Sequence, residues 1–230
     1  MQSVRMASSF THGRDLLKST ALITMTIDHI GVTLYPEISV LRFIGRLSFP
    51  LFSYLLVLGS NSTGNSRRYF ARLLTFAFVS QVPFYLAFGL QPFESLNVFF
   101  TLSSGLIFIY CFKTKNLPLG LLPLLASAVF NFDYGVYGIM SIGCMQLLMK
   151  DAKLGVASLL VLNLAFFPIW PHQFFSLLAL PIILLHKRVN MVSVDKPLNE
   201  KIGYPRWRKY LFYFYYPIHL TILYYARVTF

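Results

Sequence analysis

The segment LLKSTALITMTIDHIGVTLYP, residues 16–36, decides the fold class of this chain. It is apolar and long enough to cross a bilayer, because roughly 20 helical residues span a hydrocarbon core of about 30 Å. It also carries Asp28 and His29 side by side. Ionisable side chains inside such a segment are costly and normally face a bundle interior or a wet cavity. The segment therefore predicts a membrane helix with a polar site on one side.

The composition extends this prediction to the whole chain. Of the 230 residues, 56% are hydrophobic and only 12% are charged, which leaves too little polar surface to cover a soluble core of this size. Long apolar runs recur along the chain, and they lack the alternation of barrel strands. We predict an all-α, polytopic transmembrane bundle in one domain, residues 1–230. The predicted spans are 16–35, 38–59, 68–90, 96–112, 117–132, 134–149, 153–171, 173–186 and 210–228.

The basic residues predict how this bundle is oriented. The formal net charge is +12, and seventeen of the twenty Lys and Arg residues fall at alternate ends of the predicted spans. The opposite connections, YPEIS, GLQPFESL, NFDY and FPIWPHQ, contain no Lys or Arg. The positive-inside rule places the N-terminus and a basic loop, residues 187–209, on the cytoplasmic side of the membrane. Anionic membrane lipid accounts for the basic face, so we predict no nucleic-acid binding.

Polar residues from three predicted spans lie at one depth. Asp28 and His29 lie about 18 to 20 Å from the cytoplasmic end of the first span, at about 1.5 Å per residue. Arg46 lies about 12 Å below the outer end of the second span, and His219 lies about 14 Å into the last one. These depths coincide in a hydrocarbon core of about 30 Å. We therefore predict one site containing Asp28, His29, Arg46 and His219.

Lys18 indicates what reaches this site. Ten residues separate it from His29, and eleven steps of about 100° return to nearly the same helix face roughly 16 Å away. A lysine is a point-charge partner for phosphate. Coenzyme A has the matching shape, because its phosphates can stay at the cytoplasmic mouth while its pantetheine arm carries a thioester up to His29. Further basic residues complete the predicted phosphate site: Arg68, Arg72, Arg206, Arg208 and Lys209.

Several motifs occur in order along nearly the whole chain. They are Lys18-x10-His29 within ALITMTIDHIG, then IGRLSFPLF, YFARLLTFAFVSQVPF, SLNVFFT, YGVYGIM and the terminal YPIHL. This series resembles the TraX family of conjugative-pilin acetylation proteins. The Lys/Arg-x10-His spacing is shared with the wider superfamily of membrane acyltransferases, whose larger members have ten or more spans. The resemblance implies transfer of acetyl from cytoplasmic acetyl-CoA to the N-terminal amine of a pilin subunit, without a metal.

The sequence leaves the role of each site residue open. His29 is either the catalytic base or nucleophile, or a structural histidine bonded to a neighbouring helix. Asp28 either orients the imidazole or neutralises Arg46, which in turn either stabilises a thioester oxyanion or is only a counter-ion. His219, beside a helix-kinking proline, is either a second site residue or an ordinary polar contact.

Polar residues nearer the outer surface have weaker assignments. Arg42, one turn beyond Arg46, is expected either to extend its guanidinium towards the outer surface or to contact an anionic acceptor. The others either line an entrance for the acceptor or pack helices together: Gln81, Asn97, Asp133, Tyr134 and Tyr137.

Two other functions fit the same residues. An O-acetyltransferase of a cell-envelope glycan would differ only in its acceptor. A proton-coupled transporter would use Asp28, His29 and Arg46 as a relay, but the inverted repeats that would favour it are not visible. A zinc-type ligand spacing is also missing around His29 and His219, so we predict no metal.

Overall fold

The computed structural model of the chain describes residues 2–193 and 206–229, with the side chains of residues 13–116, 118–189 and 210–229. This part of the chain is helical, and its one β-bridge is isolated, between Leu96 and Phe132. The all-α fold class is therefore confirmed for the described residues. The α-helices are α1 (Gln2–Thr33), α2 (Ser39–Gly45), α3 (Ser48–Ser62), α4 (Ser66–Phe88), α5 (Val98–Lys113), α6 (Leu117–Val129), α7 (Gly135–Lys150), α8 (Ala152–Phe166), α9 (Leu180–Ser193) and α10 (Arg206–Thr229), with a 3₁₀ helix at Pro171–Ala179 before α9.

Each predicted span overlaps at least one of these helices, but several boundaries differ. Helix α1 begins at Gln2 rather than at residue 16, and the predicted span 173–186 begins as the 3₁₀ helix. The predicted basic loop 187–209 is wrong at both ends, because residues 187–193 continue α9 and residues 206–209 begin α10. Residues 194–205 of that loop lie outside the described residues.

The predicted second span is divided into α2 and α3, and Pro50 explains why. A proline lacks the backbone N–H that would bond to the carbonyl four residues earlier, and its ring clashes with that carbonyl. For Pro50 this carbonyl belongs to Arg46, which is the C-cap residue after α2, while Leu47 is the N-cap residue before α3. The break sets Arg46 at the junction of two helices, where its side chain is directed towards α1.

Helices α1, α4 and α10 run parallel and enclose a common seam, which we call the α1–α4–α10 seam. The contacts advance in the same direction along each pair of helices. They are Lys18 with Phe212, Thr26 with Tyr215 and His29 with His219 for α1 and α10, and Arg72 with Tyr213 and Ala87 with Arg227 for α4 and α10. Residues far apart in sequence therefore meet along one seam.

Two helical stretches in the described chain are long and apolar enough to cross a membrane, Ser39–Ser62 and Ser66–Phe88. The first includes α2, α3 and the break between them. Shorter apolar helices occur at Val98–Lys113, Pro118–Val129 and Ala152–Phe166.

Candidate functional site

The neighbouring residues Asp28 and His29 enter two different environments. Consecutive residues of an α-helix differ by about 100° in direction, so their side chains face different neighbouring helices. The carboxylate of Asp28 is directed towards α2, whereas the imidazole of His29 is directed towards α10 and α4. Each side chain therefore belongs to a separate polar cluster.

His29 forms a hydrogen-bonded chain with α10, which we call the histidine relay. Its Nδ1 lies 2.8 Å from Nε2 of His219, and Nδ1 of His219 lies 2.9 Å from the carbonyl oxygen of Tyr215. A carbonyl oxygen can only accept, so Nδ1 of His219 donates and its Nε2, in the neutral ring, accepts the proton of His29 Nδ1. The lone pair of a neutral His29 is consequently on Nε2. The backbone of α10 thus selects the tautomer of both rings.

Aromatic rings surround the relay. The ring of His29 lies between Phe88 of α4, with a centroid distance of 5.1 Å, and Tyr216 of α10, at 6.1 Å. His219 stacks on Tyr215 at 5.1 Å. The hydroxyl of Thr26 donates to a carbonyl within α1, so in its 2.7 Å contact with Tyr215 it accepts the phenolic proton. These contacts hold α10 against the histidine-bearing side of α1.

Asp28 is the centre of an ion cluster with two arginines from α2. Nη2 of Arg46 lies 3.1 and 3.2 Å from the two carboxylate oxygens, and Nη1 of Arg42 lies 3.0 Å from one of them. The close approach needs Gly45, because a Cβ there would lie only 2.1 Å from a carboxylate oxygen of Asp28. Arg46 also donates to the side-chain oxygen of Gln173, 3.2 Å away. The predicted meeting of Asp28 and Arg46 is thus present in the structure.

This geometry corrects two sequence interpretations. Asp28 was one candidate for orienting the imidazole of His29, but its carboxylate is bound by Arg42 and Arg46, and the orienting contact comes from His219. Arg42 is not simply extended towards the surface, since it pairs with Asp28 while a third of its side chain, 33%, stays exposed. Sequence reasoning also missed Gln173, because a glutamine in a 3₁₀ helix after α8 carries no motif.

The predicted phosphate-binding residues lie at the other end of the α1–α4–α10 seam. Lys18 is 3.6 Å from Asp15 and its ammonium lies 4.7 Å from the ring centre of Phe212. The guanidinium of Arg72 lies between the rings of Tyr69 and Tyr213, at 5.2 and 5.1 Å. Arg68 is exposed at the start of α4. The remaining three predicted residues begin α10, but their side chains lie outside the described part of the chain: Arg206, Arg208 and Lys209.

The predicted outer polar residues divide into two groups. Gln81 and Asn97 bond to each other, with 2.6 Å between the amide nitrogen of Asn97 and the Gln81 oxygen, and Asn97 also caps α5. Tyr137 is buried and contacts Asn163, 3.2 Å away. These three residues pack helices together. Tyr134 differs, because its ring lies 5.8 Å from the Arg46 guanidinium, and Asp133 lies within electrostatic range of that group.

The described side chains contain no group of three His, Cys, Asp or Glu residues placed to hold a metal ion. The side chains at and beside the relay carry imidazole, hydroxyl and guanidinium groups. A neutral histidine with a fixed tautomer and a lone pair on Nε2 is suited to accept a proton from a nucleophile near pH 7. Arg42 and Arg46 of the adjacent ion cluster lie within electrostatic range of His29, but both guanidinium groups contact Asp28.

Comparison with known proteins identifies the family. The TraX protein family model matches residues 13–227, so the chain belongs to the TraX family, which confirms the resemblance of its motifs. The chain is 27% identical over 234 residues to a probable fimbrial assembly protein FimC, serogroup H1, of Dichelobacter nodosus, covering 92% of this chain and 94% of that protein. It is 33% identical over 110 residues to an uncharacterized protein of Rickettsia prowazekii (strain Madrid E), covering 48% of this chain and 42% of that protein. No solved structure matches the chain.

Proposed function

We propose that the protein is a multi-pass inner-membrane acetyltransferase that moves acetyl from cytoplasmic acetyl-CoA to the N-terminal amine of a pilin subunit. The observation that carries the proposal is the histidine relay, which leaves the lone pair of a neutral His29 on Nε2, as a general base requires. Family membership and the fimbrial-assembly name of the Dichelobacter relative support a role connected with pilus assembly.

The direction of the helices supports nine spans. An odd number of spans that alternate in direction requires the first, third and ninth to be parallel, and α1, α4 and α10 are parallel. Exposed aromatic residues lie where chain segments meet the outer side, as expected at a membrane interface. They are Tyr35, Phe93, Phe130, Phe167 and Trp170. Exposed basic residues lie at the opposite helix ends, for example Lys150 and Lys153.

In the proposed reaction His29 acts as the base. Nε2 of His29 takes the proton from the acceptor amine as the amine nitrogen attacks the thioester carbonyl carbon. The carbon–sulfur bond then breaks, and the proton passes from His29 to the departing thiolate, so that the products are an amide and free coenzyme A. An unperturbed protein α-amine has a pKa of about 7.7 to 8.0, so part of it is already neutral and the base has modest work. His219 stabilises the charged imidazole through its lone-pair nitrogen.

The residues along the α1–α4–α10 seam fit the two ends of acetyl-CoA. Lys18 and Arg72 bring cations to the end that the charge pattern assigns to the cytoplasm. Both cations lie on aromatic rings of α10, which helps to hold them in place, and Lys18 also pairs with Asp15. His29 lies about 16 Å further along α1, a distance that an extended pantetheine arm must cross.

Mass spectrometry of a co-expressed pilin subunit tests this function. We expect wild-type protein to add one acetyl group to the pilin N-terminus and His29→Ala to lower that addition by about 10²- to 10⁴-fold, the usual contribution of a general base. His172→Ala is the matched control, because His172 is exposed and contacts Phe43 rather than the relay. Normal acetylation by His29→Ala would remove His29 from the chemistry.

Binding of the co-substrate separates an acyltransferase from a transporter. We expect acetyl-CoA to raise the melting temperature of the purified protein, whereas an unrelated nucleotide does not. Lys18→Ala should weaken this effect, and Lys18→Arg should preserve most of it, since either cation can pair with phosphate. A protein that moves protons across vesicles but gains no stability from acetyl-CoA would be a transporter instead. Acetylation of a glycan with an unmodified pilin would change the acceptor but not the enzyme class.

A further inference from the structure

A half-open cavity of about 770 Å³ lies at the outer end of the α1–α4–α10 seam, and the proposed chemistry does not use it. Its walls are the last turns of α4 and α10 and the chain that follows α4. Most of the lining is apolar, including Val82, Leu86 and Val228, which are all exposed. Its volume is in the range of roughly 300–1,000 Å³ that is typical of small-molecule sites.

Arg227 places a cation in this cavity. Its Nη1 donates to the carbonyl oxygen of Ala87 over 3.3 Å, so it caps the end of α4. A Cβ at position 89 would lie 2.6 Å from the same guanidinium, and the φ of +66° at Gly89 also favours glycine. A guanidinium carries five N–H donors, and in the described part of the chain one of them is engaged. Several donors thus remain available at the mouth of an apolar cavity.

The charge pattern does not account for Arg227. Seventeen basic residues lie on the cytoplasmic side by the positive-inside rule. Arg42 and Arg46 lie towards the other side but are paired with Asp28. Arg227, exposed in the last turn of α10 at that side, has no ion pair among the described residues. A free cation beside exposed apolar walls complements a molecule with an anionic head and an apolar tail.

We propose that this cavity binds an anionic phospholipid of the outer leaflet, with its phosphate on Arg227 and an acyl chain between α4 and α10. The proposal rests on the membrane orientation proposed above, but not on the acetyl transfer. Guanidinium groups bind phosphate oxygens through paired N–H donors. An acyl chain needs no hydrogen-bond partners, which suits the apolar walls.

A peptide segment fits the same cavity less well. In an apolar surrounding its backbone N–H and C=O groups would need partners. Besides Arg227, the polar side-chain groups in the lining are the hydroxyls of Tyr85 and Tyr224, and the Tyr85 oxygen already accepts from the backbone N–H of Phe93 over 2.8 Å. The lining therefore favours a lipid tail over a peptide.

Native mass spectrometry of the purified protein tests the site. The protein is released from detergent containing either phosphatidylglycerol or phosphatidylcholine, and the retained lipid is counted. We expect wild-type protein to retain phosphatidylglycerol preferentially and Arg227→Gln to retain roughly five-fold less of it, the factor expected from losing one charge–lipid contact. Arg67→Gln is the matched control, because Arg67 is an exposed arginine at the opposite end of α4 and should leave retention unchanged.

Leu86→Trp is a second variant that tests the cavity without removing the hydrogen bond by which Arg227 caps α4. It fills the cavity while keeping Arg227 and should also lower lipid retention, and circular dichroism measures the helical content of both variants. Equal retention by wild type, Arg227→Gln and Leu86→Trp would overturn the proposal. It would also be overturned if a pilin peptide crosslinked at residue 86 and displaced the lipid. Lipid retention is measured without acetyl-CoA or acceptor. A negative result would therefore contradict the lipid site and not the proposed acetyltransferase activity, and loss of the acetyltransferase proposal would not contradict the lipid site.

Discussion

The ion cluster around Asp28 and the histidine relay through His29 begin at neighbouring residues but use opposite chemistry. Asp28 is surrounded by cations from a helix close in sequence, and its oxygens are occupied by Arg42 and Arg46. His29 meets a neutral ring from the last helix, and its tautomer is fixed so that one nitrogen keeps its lone pair. The charged cluster joins α1 to the α2 side of the bundle, whereas the neutral relay keeps a lone pair on Nε2 of His29 for the proton transfer proposed above.

The largest effect on this comparison is expected from Asp28→Asn. It leaves the arginines without their anion, and breaking a buried ion pair in this way costs about 3–5 kcal/mol. We expect the free energy of unfolding in mixed micelles to fall by this amount. Acetylation per folded molecule should change much less.

Asp15→Asn is the matched control for that measurement, because the Asp15 side chain is 30% exposed in its contact with Lys18. Such a pair contributes less than about 1 kcal/mol. If Asp28→Asn kept full stability but lost acetylation, the ion cluster would belong to the chemistry and the comparison would be wrong.

His219→Ala should affect the reaction more than the fold. Without the acceptor nitrogen of His219, either nitrogen of His29 can carry the proton of the neutral ring, so Nε2 no longer always keeps the lone pair. Loss of such an orienting partner typically costs about 10- to 100-fold in activity. His219→Gln should recover part of this loss, because its side-chain oxygen can accept from the same N–H. Pilin acetylation rates of the two variants are compared at equal amounts of folded protein. If His219→Gln were no faster than His219→Ala, His219 would be a packing residue and not an orienting one.

Thr26→Val tests the hydrogen bond between α1 and Tyr215 that holds α10 beside the relay. It removes the acceptor of the Tyr215 hydroxyl, 2.7 Å away, and we expect the free energy of unfolding to fall by about 0.5–1.5 kcal/mol. Thr33→Val is the control, since its hydroxyl donates to the His29 carbonyl within α1. A smaller loss from Thr26→Val than from Thr33→Val would argue against this role.

Arg42→Ala should give the smallest effect. A third of its side chain, 33%, is exposed, and partly solvated pairs contribute about 0.2–1 kcal/mol. Thermal unfolding of Arg42→Ala and Arg46→Ala compares the stability lost in the two variants. We expect the greater loss for Arg46→Ala, because the Arg46 side chain is only 15% exposed and contacts both carboxylate oxygens of Asp28. A larger loss for Arg42→Ala would reverse the order of the two arginines within the cluster.

The sequence predicted the helices and the juxtapositions that depend on depth. Apolar runs and helical rise were enough to bring Asp28 near Arg46 and His29 near His219. Rotation around each helix was harder to predict, because it depends on contacts between helices that the sequence does not display. The histidine partner of His29 and the pairing of Arg42 with Asp28 both depend on that rotation. The break before α3 was readable from Pro50, but Gln173 reaches Arg46 only through the path of the 3₁₀ helix.

The two histidines of the relay are 190 residues apart, and this separation has a consequence for biosynthesis. A ribosome adding about 5–20 residues per second needs roughly 10 to 40 s to pass from one histidine to the other. During that interval the nascent chain already carries Lys18 and His29 but has no relay partner. If His29 is the base of the proposed reaction, the relay that orients it is complete only when the last helix has been made, and a chain cut short before residue 219 lacks the orienting histidine.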